Sequence, residues 1–200
     1  MSWRRNGPRS ANPKKGASTS FAHKDTGKRD SGRLTAKLIV VKCMVDVREL
    51  LNYNEEVRHR YLDTLAKLPW DELVKNREAS FHSLRNIFIH ILGAIDHWVD
   101  FLLKEQPRPR RRFDDYKTIE DIRTYMRQVE GRMRRYTGSL TSEGLQKKCT
   151  LKNDLGETVE VTVEDALIHV FEEEVHHRGE LIALLWQMEI EPPLMGWKYL

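Results

Sequence analysis

Residues Leu167–Leu185 read LIHVFEEEVHHRGELIALL. Apolar residues open and close the stretch, and three glutamates with two adjacent histidines fill its middle. With Val170 as centre and about 100° per residue, Val163, Ala166, Leu181, Leu184 and Met188 fall within about 40° of one line. This spacing predicts an amphipathic helix over residues 163–188. Thr162 is its expected N-cap, Asp165 three residues on makes a variant capping box, and Pro192-Pro193 prevents continuation. His177 falls inside the apolar arc and Glu173 near its edge. Glu172 points to the opposite side, and His169 and His176 lie on the flank.

Three more segments carry the same period. Over 45–68, Val47, Leu50, Leu51, Val57, Tyr61, Leu62 and Leu65 form a rough stripe that ends at Pro69. Over 84–105, Leu84, Ile87, Ile91, Ile95, Trp98 and Leu102 recur at three- and four-residue steps, with Ser83 as N-cap and QPRPRRR as the break. Over 119–140, Thr118 caps and Ile122, Tyr125, Met126, Val129 and Met133 face inward. Arg123, Arg127, Arg134 and Arg135 are expected on the solvated side of that segment. Between the third and fourth segments, KCTLKNDLGETVEVTV switches to β-favouring residues around an NDLGE turn, which predicts a small hairpin. Four amphipathic helices of this length predict an all-α four-helix bundle with one β-hairpin between helices three and four.

The net charge of +4 is unevenly distributed. Residues 1–42 carry eleven Lys/Arg against two Asp/Glu, while the rest carries 23 against 28. Residues 1–33 are basic, rich in Gly, Ser and Pro and without period, so they are expected to be a disordered tail preceding a folded domain over 34–200. Residues 34–43, LTAKLIVVKC, suit a short strand or a helix. Nucleic acid is expected to be contacted through the tail if at all. No run approaches the roughly 18 uninterrupted apolar residues of a membrane span. The two cysteines, Cys43 and Cys149, form no C-x-x-C pair, so a cytoplasmic setting without structural disulfides is expected.

An inward histidine costs free energy unless its ring nitrogens find partners, and an inward carboxylate costs more. Residues four apart stack on one helical face, so Glu173 and His177 can share one metal ion. They can equally hydrogen-bond each other at the domain's edge, and Glu174, three residues before His177, is a second candidate partner. A third ligand must come from another helix. His90 and His97 on the second segment are seven residues apart, about 10 Å along the axis, so one compact site cannot use both. His82 and His59 are weaker candidates, in a capping region and among charged residues.

IHILGAIDHW in the second segment, followed after a hairpin by LIHVFEEEVHHRGELIALL, resembles the DinB-like superfamily of metal-binding four-helix bundles. The resemblance covers roughly Val45–Leu200. It implies an up-down-down-up bundle, often homodimeric. It also implies a divalent metal held by one histidine of the second helix and two ligands one turn apart on the last. On this sequence those ligands are His90, Glu173 and His177. Many members have histidine where Glu173 stands; a thiol-dependent maleylpyruvate isomerase branch is similar to this sequence in using glutamate there. Two imidazoles and one carboxylate leave positions open to water or substrate, the arrangement of a catalytic site. Zinc is favoured by ligand type, with nickel, manganese and iron as the other candidates. The implied activity is thiol transfer, isomerisation or hydrolysis of a small molecule, with a low-molecular-weight thiol as a candidate co-substrate. The other reading is a non-enzymatic metal-binding or stress-related bundle. Glu180 and Arg178 are candidates to orient the ligands.

Overall fold

The computed structural model describes residues 45–103, 112–152 and 155–196. The expected tail over 1–33, the segment 34–43, the QPRPRR break and the final WKYL lie outside the described residues.

Asp46 accepts a hydrogen bond from the Arg48 backbone N–H and starts α1 (Val47–Leu65), which buries Val47, Leu51, Val57, Tyr61, Leu62 and Leu65. Pro69 does more than end this helix. It is also the N-cap of a short helix that the sequence reading omitted, α2 (Trp70–Val74): its carbonyl accepts from the Glu72 and Leu73 N–H groups, and Asp71 and Glu72 suit a helix N-terminus. Ser83 caps α3 (Leu84–Leu103) by accepting from the Asn86 N–H at 3.2 Å. After a 3₁₀ turn at Phe113–Asp115, Thr118 and Asp121 form the capping box of α4 (Ile119–Gly138). Arg127, Arg134 and Arg135 lie exposed as expected, while Arg123 is half-buried beside Asp63 and Glu120.

A second short helix absent from the sequence reading, α5 (Ser142–Leu145), leads into the hairpin. Its strands β1 (Lys148–Lys152) and β2 (Thr158–Thr162) pair antiparallel, Cys149 opposite Val161 and Leu151 opposite Val159. These four side chains share the half-buried face. Gly156 takes the turn's positive φ of 78°, which side-chain-bearing residues rarely adopt. The Val163 N–H donates to the Lys147 carbonyl and ties the hairpin to α6 (Val163–Gln187), where Thr162 and Asp165 make the expected capping box.

The long helices meet in pairs: α3 against α4 and α6, and α1 against α6 and α4. Leu62, Leu84, Leu92, Met126, Leu167 and Leu185 are fully buried between them. Each such side chain contributes about 1.5–3 kcal/mol of hydrophobic stabilisation. By length and composition α3 is apolar enough to cross a membrane, but its Leu84, Ile87, Phe88, Leu92, Ile95 and Val99 are used in this core. Near the C-terminal end of the described residues, Met195 lies against the core, and its carbonyl accepts from the Tyr53 hydroxyl at 2.5 Å.

Candidate metal centre

The capping box fixes where α6 begins, and its buried residues Val163, Ala166, Val170, Leu181 and Leu184 fix its rotation. That rotation carries His177 inward, 7% exposed, and leaves Glu173 one turn earlier at a half-buried position. On α3, Ile87, Ile91 and Ile95 fill the core, and His90 comes to the edge facing α6. His90 Nε2 lies 3.1 Å from Glu173 Oε1, and His177 Nε2 lies 3.2 Å from the same oxygen. The three potential ligand atoms lie within 4.8 Å of one another.

The rings around them are ordered. Phe81, in the α2–α3 connection, stacks on His90 with centroids 3.9 Å apart and planes 19° from parallel. The two imidazoles meet edge to face at 4.4 Å. Burial holds the His90 imidazole below its ordinary pKa, with Glu173 opposing in part, so the neutral, metal-competent form predominates at neutral pH. Burial pushes the Glu173 carboxyl up, but hydrogen bonds from His90 and His177 and their charge outweigh it and hold the group below its ordinary value.

The sequence profile of the DinB family matches residues 42–198. The chain belongs to the DinB family. No curated protein matches it. Among solved structures it is similar to the crystal structure of a DinB-like protein from Bacillus cereus ATCC 10987. The TM-score is 0.58 at 19% identity, over 75% of this chain and 95% of that one, a likeness of fold.

In this DinB-family chain Glu174, the second candidate partner of His177, is not in the cluster. Glu174 is 3% exposed and turns to α1, where Arg58 Nε and Nη2 donate to its two carboxylate oxygens at 3.2 and 2.8 Å. Arg58 Nη1 also donates to Glu130 of α4 at 2.7 Å, and Arg178 donates to Asn54, which in turn donates to the Phe171 carbonyl. This buried polar network was missed from sequence. A readable signal existed, because Leu167, Glu174 and Leu181 stand at seven-residue steps and the outer two are core residues.

The other described histidines are not part of this cluster. His97 is exposed beside Trp98, and His59 meets Glu130 Oε2 at 3.0 Å. His82 is exposed at a positive φ of 70°, and His176 is exposed next to His177. Among the described residues, two other groups bring potential ligand atoms together, Glu55–His59–Glu130 and His176–His177–Glu180. Arg58 and Arg134 already pair with the first group, and the second includes exposed His176. Only the His90–Glu173–His177 group supplies wall residues to the large cavity. That cavity, about 1650 Å³, is lined by His90 and Glu173, by Phe81, Phe113 and Trp98, and by Cys149 of the hairpin.

Proposed function

We propose that His90, Glu173 and His177 hold one divalent metal ion and that the chain is an enzyme acting on a small molecule in the adjoining cavity. The observation that carries this reading is the convergence of two imidazole Nε2 atoms on one carboxylate oxygen at 3.1 and 3.2 Å. Atoms bound to one zinc at about 2.0–2.1 Å and tetrahedral angles stand roughly 3.3 Å apart, close to both nitrogen–oxygen separations here. Three protein ligands leave a position open, and the walls shared with the cavity aim that position at a substrate. A bound ion there supplies Lewis acidity toward a carbonyl, a water or a thiol.

The chain's own residues do the positioning. His177, buried, fixes the inner ligand, and His90 and Glu173 form the rim that substrate meets. Phe81, Phe113 and Trp98 give the cavity an aromatic wall suited to a substrate with an apolar body. Thiol transfer, isomerisation and hydrolysis are the reaction classes this arrangement suits. Zinc is the metal favoured by two imidazoles and a carboxylate, with nickel, manganese or iron as alternatives. The pairwise packing of α1, α3, α4 and α6 supports reading the fold as an up-down-down-up four-helix bundle with the site between α3 and α6. The outward line of α6, with Ile168, Val175 and Trp186 at 37, 40 and 59% exposure, supports a homodimer formed through that helix.

Purified without a polyhistidine tag and assayed by elemental mass spectrometry, the protein should carry one equivalent of divalent metal. His177→Ala and His90→Ala should each lose it. Wild type without metal, or His177→Ala with as much metal as wild type, would overturn the assignment.

A further inference from the structure

Outside the three ligands, one carboxylate touches the cluster from behind. Glu180 lies on α6, three residues after His177, and its Oε2 is 3.5 Å from His177 Nδ1. The same oxygen accepts a hydrogen bond from the Ser80 hydroxyl at 2.6 Å. Ser80 belongs to the connection between α2 and α3, and the next residue, Phe81, is the ring stacked on His90. Phe81 also stands edge-on to His177 at 5.3 Å.

This connection is firmly placed. Glu78 and His82, on either side of Ser80 and Phe81, hold positive φ values of 56° and 70°, which non-glycine residues rarely adopt. The Arg77 N–H donates to the His82 carbonyl, and the Arg77 guanidinium pairs with Glu72 of α2. One oxygen of Glu180 therefore joins the back of one imidazole to the loop that covers the other.

A histidine that offers Nε2 to a metal carries its proton on Nδ1, and the group facing that N–H selects the tautomer and fixes the ring plane. For His177 that group is Glu180. For His90 the ring plane is set by Phe81, and Glu180 sets Phe81's loop through Ser80.

We propose that Glu180 is the positioning residue of this centre, orienting His177 through Nδ1–H and holding Phe81 over His90 through Ser80. The role rests on His90, Glu173 and His177 being the ligands. Glu180 is not itself a ligand in this arrangement, because the nitrogen it faces is the one turned away from Glu173. Ser80 contributes as the hydroxyl that latches the loop.

Zinc affinity, measured by competition with a chromophoric chelator, and the visible spectrum of the cobalt(II)-substituted protein test this role in full-length wild type, Glu180→Gln, Ser80→Ala and Ser80→Thr. Wild type and all variants are expected to bind one equivalent. Glu180→Gln should bind zinc about 10–100-fold more weakly and shift the cobalt bands, with its metal-free melting temperature unchanged. Ser80→Ala should show a smaller loss, and Ser80→Thr, which keeps the hydroxyl, should restore affinity. Wild-type zinc affinity in Glu180→Gln would overturn the role. So would complete loss of the ion, which would make Glu180 a ligand, or a fall in metal-free melting temperature that accounts for the weaker binding. Wild type that binds no zinc would instead overturn the ligand assignment, and this role with it.

Discussion

Glu173 and Glu174 are neighbours with opposite roles, and the difference comes from what faces each. Glu173 meets two imidazoles at the cavity wall, whereas Glu174 meets Arg58, which is 6% exposed. A buried guanidinium shared by two carboxylates is costly to break one partner at a time, because the remaining charges stay desolvated. Arg58→Ala should therefore destabilise the protein by about 3–5 kcal/mol, read from denaturant unfolding. Arg134→Ala, whose partner Glu55 sits beside an arginine that is 60% exposed, should change stability by less than about 1 kcal/mol. His177 was legible in the sequence because its angle on the helix fell within the apolar arc. The choice of Glu173 over Glu174 was not, since the wheel records direction and not partners. Arg58, buried on α1, decides it by pairing with Glu174, and an arginine does not differ by residue type from ordinary surface positions.

At the level of elements, caps set the register on which the cluster depends. Thr162 and Asp165 exchange hydrogen bonds at the start of α6, eight or more residues before the cluster. Thr162→Ala should cost about 1 kcal/mol. The Thr162 hydroxyl first, and then its backbone N–H, hold the Asp165 carboxyl below its ordinary pKa. At α4, the Lys117 backbone N–H first, with Thr118, does the same for Asp121. A carboxyl lowered in the folded state adds stability above its unfolded pKa and loses it as pH falls through the folded one. Both caps should therefore weaken below about pH 4, and Asp165→Asn should lose less melting temperature than wild type between about pH 5 and pH 3. An equal loss would show that this cap contributes nothing to acid sensitivity. The long helices and the hairpin were readable because their apolar periods run for many residues and their caps are explicit. The two short helices, α2 and α5, span five and four residues, too few for a period to emerge. Pro69 at the N-cap of α2 had the additional effect of reading as a terminator only.

For the whole molecule, the four long helices place an acidic and imidazole-bearing edge of α6 against α3 while keeping the opposite edge of α6 outward. Ile168, Val175 and Trp186 on that outward edge are expected to meet a second copy, giving a mass by light scattering of twice the 23.6 kDa chain. Trp186→Glu should yield the single-chain mass; a wild type already at the single-chain mass would remove the dimer. The overall helical architecture followed from period and length alone. The place of His90 in the cluster did not, because no one-dimensional pattern says which edge of α3 meets α6. The central claim concerns that meeting point, and a metal-loaded crystal with anomalous diffraction at the metal's absorption edge tests it most directly. The account predicts one peak bonded at about 2.0–2.2 Å to His90 Nε2, His177 Nε2 and a Glu173 oxygen. A peak at Glu55–His59–Glu130 or at His176 and Glu180 instead, or none between α3 and α6, would contradict it.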